Sequence, residues 1–260
     1  MKHKRLLIIS TCLVFIMVCV LCFKELFTVK DVNVVYSVTS NGVNEEVYSL
    51  VEKYKGRSIF SVDTEEIKKE ITANNYLKVL SVEKKYPNEI LINLIERSEK
   101  YYYVADDAVY YFDDEYFIVK KAESKPEGQT YLTEIAFNDI STGDKIAVEC
   151  SLMSYFTFPQ GFLADVKVVV DKIQDVASSV TKITFVTTGE VGEHRIRLQM
   201  REGVVIEIRK AGLSLEEKLQ SGIGYYNQLE EGKKIEGLVY VQIDSQSGKV
   251  TSNYQSPRVN

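Results

Sequence analysis

The chain has no tryptophan, two histidines, four prolines and four cysteines in 260 residues. Cys12, Cys19 and Cys22 fall in one uncharged run near the N-terminus, which leaves Cys150 alone beyond it. A single cysteine closes no internal disulfide, and no Cys-x-x-Cys pair is present for zinc. Cys150, in Val-Glu-Cys-Ser-Leu, has no basic neighbour to activate it and reads as a small core residue. His3 stands in a basic tail; His194, in His-Arg-Ile-Arg, has no Ser, Cys or Asp motif beside it and reads as a surface or strand residue, not a base. Ser-x-x-Lys occurs at Ser81–Lys84 and Ser179–Lys182, but Ser81 lies in a strand pattern, where that offset sends the lysine to the opposite face. Neither match has a Lys-Thr-Gly partner. Asp106-Asp107 and Asp113-Asp114-Glu115 lack the spacing and central glycine of a calcium loop and read as solvated turn acids. No glycine-rich loop cradles a phosphate. The residues point to no catalytic set, no metal site and no cofactor.

What is present begins with Leu6 to Phe23, LLIISTCLVFIMVCVLCF, eighteen residues without a charge. As a helix at ~1.5 Å per residue this run reaches ~27 Å, close to the hydrocarbon thickness of a bilayer. Lys2, His3, Lys4 and Arg5 precede it and Lys24-Glu25 follow, so the positive-inside rule puts residues 1–5 in the cytoplasm and the bulk of the chain across the membrane. The exit Val20-Leu21-Cys22-Phe23 has none of the small residues of a signal-peptide cleavage site, and Leu21 before Cys22 does not suit lipoprotein cleavage. An uncleaved anchor is expected. Without Lys2, Lys4 and Arg5 the remainder carries 29 basic against 37 acidic residues, a formal −8, which gives no electrostatic reason to bind nucleic acid.

Beyond the anchor, 29–38 alternates with Val32, Val34, Tyr36 and Val38 on one face, a strand, and Asn41-Gly42 marks a turn. Val47, Leu50, Val51 and Tyr54 make a helical stripe, with Asn44 as N-cap and Gly56 closing it. A second helix starts at Asp63, with Glu66 completing a capping box and Val62 and Ile67 at the staple positions. Leu80 and Val82, then Ile90, Ile92 and Leu94, predict two strands joined at Tyr86-Pro87-Asn88-Glu89. Strand, helix, helix, strand, strand packs as a three-stranded sheet with both helices on one face.

From Arg97 the pattern turns to β. Short aromatic strands are expected at 101–104, 109–112 and 116–119, their rings filling a sheet core, and a loop at 123–129. A helix is expected at 146–156, and 162–177 fits strand or helix. Strands follow at 180–187, 195–200 and 204–209, with turns at Gly189 and Glu202-Gly203. Ser214 and Glu217 then form a capping box for a helix through Leu229, with Leu215, Leu219, Ile223 and Tyr226 as its stripe. Two closing strands, 238–243 and 249–254, meet at Ser247-Gly248. The fold class is α+β.

With these residues in place the chain resembles the FtsQ/DivIB family of bacterial cell-division proteins, from the anchor to about Tyr254. Its most specific part is Gly56-Arg57-Ser58-Ile59-Phe60-Ser61-Val62-Asp63, then Val79 to Lys85, Tyr86-Pro87-Asn88, and Ile90 to Glu96-Arg97. This looks like the family's POTRA domain, with Gly56, Phe60, Tyr86, Pro87, Glu96 and Arg97 carrying the likeness. Tyr110 to Val119 and Ser214 to Tyr254 resemble the start and the close of its β domain. The resemblance implies a tail at 1–5, a transmembrane helix at 6–23, a POTRA domain at 28–97, a β domain at 98–254 and a C-terminal tail at 255–260. It implies a non-enzymatic protein of the cell membrane and division septum. Its partners would be FtsL- and FtsB/DivIC-like bitopic proteins, acting on septal peptidoglycan synthases indirectly. By position Val239, Val241, Ile243, Ser245, Ser247 and Tyr254 fall in the family's partner-binding strands, although the side chains differ and the tail is short. Independently, an exposed last strand offers unpaired backbone groups to which a partner segment adds. The rival readings are a POTRA-bearing transport or secretion component and an anchored cell-wall enzyme. The first would call for several POTRA units or a barrel, the second for a nucleophile, base or metal set.

Overall fold

The computed structural model describes residues 2–37, 45–105, 108–126, 132–138, 165, 168, 169, 172, 180–186 and 193–257, with side chains from Ser10 onward, Glu45 excepted. The chain divides into two units, Met1–Arg97 and Ser98–Asn260.

The first unit begins with helix α1, Lys2–Leu26. Its described apolar side chains are exposed, and Leu13, Phe15, Met17, Val20 and Phe23 are each more than half exposed. Among the described residues, no helix is long and apolar enough to cross a membrane. The Thr28 hydroxyl donates to the Lys24 carbonyl at 2.7 Å at the end of α1.

Strand β1 (Asp31–Tyr36), helices α2 (Glu45–Glu52) and α3 (Thr64–Thr72), and strands β2 (Leu77–Lys85) and β3 (Glu89–Glu96) follow. The sheet order is β1-β3-β2, with β1 parallel and β2 antiparallel to β3. Val47, Val51 and Tyr54 from the first helix region, Ile67 and Ile71 from α3, and Ile90, Ile92 and Leu94 from β3 share one buried cluster. Asp63 caps α3, its carboxylate accepting from Glu65 N–H at 2.9 Å. Leu80 departs from expectation: it is 48% exposed, while Leu77 and Val79 are buried. A β-bulge falls between Val79 and Ser81, and the extra residue shifts the alternation so that Val79 and Val82 serve the same core.

The second unit is a nine-stranded sheet. Its strands are β4 (Tyr101–Val104), β5 (Val109–Phe112), β6 (Ile118–Ala122), β7 (Thr133–Asn138), β8 (Val180–Val186), β9 (Arg195–Met200), β10 (Val205–Ile208), β11 (Leu238–Ile243) and β12 (Val250–Gln255). Their order is β12-β11-β10-β9-β8-β7-β4-β5-β6, so β12 and β6 are the two edges. Helix α4 (Leu215–Gln228) and the short α5 (Glu231–Lys234) connect β10 to β11, which pair in parallel. Arg-Ile-Arg-Leu-Gln-Met of β9 shows the cause of its burial: Ile196, Leu198 and Met200 face the core, and Arg195 and Arg197 face out. Tyr101, Tyr110 and Phe112 fill the same core, as strand aromatics are expected to.

Three further expectations change, and one left open between strand and helix is decided at its described residues. Asp113 is buried rather than solvated, its carboxylate accepting from Glu115 and Phe117 N–H, both at 2.9 Å. Ser214 is in the left-handed region (φ 52) with no side-chain cap bond, so no capping box forms: an N-cap side chain reaches the first-turn amides from an extended backbone. Ile223 is only half-buried, and Gly222 takes the buried position on that side of α4. Within 162–177 the described residues Asp165, Val168, Val169 and Lys172 are helical, and Val169 is fully buried. The expectations at Asn41-Gly42, Asn44, Asp106-Asp107, Gly128, 146–156, Cys150, Ser179 and Gly189 lie outside the described residues.

The bulge and the core give contrasting expectations for two aliphatic residues of one sheet. Ile92→Ala should cost about 2–4 kcal/mol, and Leu80→Ala less than about 0.5 kcal/mol; urea denaturation of the two variants checks this.

Candidate partner-binding edge

The closing hairpin is built from two alternating strands and a capped turn. In β11, Val239 and Val241 are fully buried under α4. They offer no surface to a partner, which corrects their expected place among the contact residues: the alternation that fits them to a binding strand also fits them to the core. Ile243 is half-buried, and Ser245 and Ser247 are exposed in the turn. The turn is organised by Asp244, whose carboxylate accepts from Ser247 N–H (2.7 Å), Ser247 Oγ (2.8 Å) and Gln246 N–H (3.2 Å). Those bonds, led by the Ser247 amide, hold the Asp244 carboxyl below its ordinary pKa. Ser247 is therefore engaged with the turn itself, and Gly248 supplies the left-handed residue (φ 68) that lets the chain reverse.

The register then decides which backbone groups are open. Asp244 N–H donates to the Lys249 carbonyl at 2.8 Å, and β11 pairs with β12 antiparallel without a break, Gln242 opposite Thr251 and Tyr240 opposite Asn253. Antiparallel pairs alternate between bonded and non-bonded. Lys249, Thr251 and Asn253 thus turn their N–H and C=O toward β11, and Val250, Ser252 and Tyr254 turn theirs toward the open edge. The Ser252 hydroxyl lies 2.8 Å from that of Ser221 on α4, and Tyr254 OH donates to the Glu236 carbonyl at 2.9 Å.

Helix α4 fixes this hairpin. The fully buried Lys218 donates through Nζ to the carbonyls of Arg209 (2.9 Å) and Lys210 (2.6 Å), and burial pushes its pKa down. On the outward face, Glu207 of β10 accepts from Arg197 Nε and Arg209 Nε, both at 2.9 Å, and the Arg209 guanidinium lies 4.8 Å from the Tyr240 ring. Burial alone would raise the Glu207 carboxyl; the two guanidiniums outweigh it and hold the pKa below the ordinary value. Glu134 of β7 repeats the arrangement with Lys182 and Lys125.

His194 is buried, not at the surface, with Nε2 2.8 Å from Asp165 Oδ2. Burial raises the Asp165 pKa and lowers that of His194 against their mutual attraction. Twenty-nine positions separate the two in the chain, so no local motif announces the pair. Among the described residues no group of three or more His, Cys, Asp or Glu is placed to hold a metal.

The other expected residues lie in the first unit. Gly56 (φ 80) donates to the Val29 carbonyl, Val29 N–H to Arg57 and Ile59 N–H to Phe27, all at 2.8–2.9 Å, so the segment after α2 pairs with the exit of α1. Phe60 lies 5.7 Å, ring to ring, from Tyr86, and the Tyr86–Pro87 peptide bond is cis. Glu96 and Arg97 stand at the other end of β3, about 23 Å along the strand, where Arg97 N–H donates to the Tyr76 carbonyl. The six residues therefore do not form one site.

Residues 27–97 match the family described as "POTRA domain, FtsQ-type". This segment is an FtsQ-type POTRA domain. The resemblance to the FtsQ/DivIB family is borne out there. No curated protein matches the chain. A solved structure, the major extracytoplasmic domain of the trans isomer of the cell-division protein DivIB from Geobacillus stearothermophilus, is similar over 52% of this chain and 98% of that one, at 11% identity and a TM-score of 0.28. That likeness carries no argument, and the family match is that of residues 27–97.

The two arginines on Glu207 set a pH dependence. With the folded pKa below an unfolded value of ~4.3, the stabilisation is complete above that pH and lost as pH falls through the folded value. Glu207→Gln should therefore lower stability at neutral pH and make its loss on acidification shallower, as denaturation midpoints measured from neutral to acidic pH would show.

Proposed function

We propose that the chain is a non-enzymatic, single-pass division scaffold that binds FtsL- and FtsB/DivIC-like partners outside the membrane and so helps regulate septal peptidoglycan synthesis. The FtsQ-type POTRA domain at 27–97 is the observation that carries this reading. Residues 6–23 serve as the anchor, with 1–5 in the cytoplasm, the POTRA domain at 28–97 and the partner-binding β domain at 98–254. The uncharged run Leu6–Phe23 lies within the 25 residues of helix α1, and this run supports the anchor reading. The partner segment adds as a strand to β12, taking the outward backbone groups of Val250, Ser252 and Tyr254, with Ser245, Ser247 and Ile243 beside it. Uncharged Val-Thr-Ser-Asn-Tyr-Gln supports such pairing because no lysine on the strand repels or shields an incoming backbone.

Proline at an outward position removes one donor from the open edge while sparing the ladder to β11. Ser252→Pro should abolish co-purification of the FtsB/DivIC-like partner with the folded protein, and Ser252→Ala, which keeps the N–H, should retain it. Undiminished capture by Ser252→Pro overturns the edge as the docking site, and hydrolysis of peptidoglycan by the purified chain overturns the non-enzymatic reading.

A further inference from the structure

Where α1 leaves off, four aromatic rings form a continuous stack. Phe23 and Phe27 are 4.4 Å apart by ring centroids, Phe27 and Phe60 5.0 Å, Phe23 and Phe60 6.3 Å, and Phe60 and Tyr86 5.7 Å. Phe23, Phe60 and Tyr86 are each more than half exposed. A single exposed ring is ordinary; a contiguous group from three separate segments marks a surface that something covers.

We propose that this stack lies in the interfacial layer of the bilayer, so that the POTRA domain rests on the membrane through its own side chains. The inference rests on the anchor reading and extends it to the domain. Phe23 belongs both to the apolar helix and to the stack, so the medium that covers α1 also reaches Phe60, one ring away. No free linker intervenes. Thr28 is bonded to Lys24, Ile59 N–H to the Phe27 carbonyl and Lys30 N–H to the Asn88 carbonyl, the latter two at 2.9 and 2.8 Å. The helix exit, the 57–61 segment and the β2–β3 turn are thereby held together. The chemistry suits the layer: three rings without a polar atom, one phenol, and Lys24 and Lys30, which line one surface hollow with Leu21 and Leu26 at the helix exit and can meet lipid phosphates. Lys30 keeps Glu25 within 3.9 Å, so its charge is only loosely engaged.

Because the chain has no tryptophan, one introduced indole reports its own surroundings. Phe15→Trp, within α1, reports whether the anchor is inserted. Phe60→Trp and Tyr86→Trp report the stack. Val35→Trp, exposed and about 13 Å further along β1 from the Asp31 end, reports a part of the same domain away from the stack. The full chain is reconstituted, with no other protein present, in two sets of phosphatidylcholine–phosphatidylglycerol vesicles, one with lipid brominated near the top of the acyl chain to read positions 35, 60 and 86 and one brominated near the chain end to read position 15. The proposal expects bromine quenching and a blue-shifted emission at positions 15, 60 and 86, and neither at 35. Quenching at 15 with water-like, unquenched emission at both 60 and 86 overturns the proposal and leaves the anchor standing; a stack covered by a protein partner gives this result. No quenching at 15 overturns the anchor and the proposal together. Quenching at 35 equal to that at 60 also overturns it, since the stack would then not be the contact.

Discussion

The second unit depends on how closely α4 lies against β10 and β11. A Cβ on Gly222 would come within 2.9 Å of Val241 Cγ2 and 3.0 Å of Ile206 Cγ2. The absence of a side chain there is what allows the helix its approach. Lys218 fixes the same contact from the polar side, its buried ammonium satisfying the carbonyls of Arg209 and Lys210 just after β10. With α4 so placed, the chain returns beside β10 in parallel, and the antiparallel hairpin that follows leaves β12 outermost. An open edge at the end of this chain is thus a consequence of the helix crossing before it.

Much of this was legible in the sequence, for a physical reason. Where one face of a strand is buried and the other is wet, as in Arg-Ile-Arg-Leu-Gln-Met, alternation states both the element and its orientation. The same held for the α2 and α3 stripes and for the Asp63 cap, whose signals are local. Leu80 broke the pattern because a bulge is a feature of the pair of strands, not of one. Ser214 carried the right residue type for a cap but not the backbone to use it. Asp113 and His194 read as exposed because what makes their burial tolerable is a partner set by the folded structure, and Lys218 gave no sign of its burial for the same reason.

The edge was harder still. Val239 and Val241 belong to the interior strand β11, and hydrophobicity alone cannot tell a core strand from a docking strand. Only the Asp244–Lys249 hydrogen bond tells which amides point outward. Asp244 itself had no sequence signal beyond its place before a Ser-Gly turn.

The outer face of the sheet is handled differently from its edge. Glu134 and Glu207 each sit between two cations, so the middle of the sheet carries ion-paired clusters in which each buried carboxylate is more than compensated by exposed lysines or arginines. The two edges differ as well. Strand β6 ends in exposed Lys120 and Lys121, which lie over the rings of Tyr111 and Tyr110, whereas β12 has no charge at all. Uncharged β12 leaves its outward backbone groups unshielded, whereas the lysines of β6 shield theirs. Lysines along one margin and none along the other disfavour growth of copies margin to margin into a ribbon.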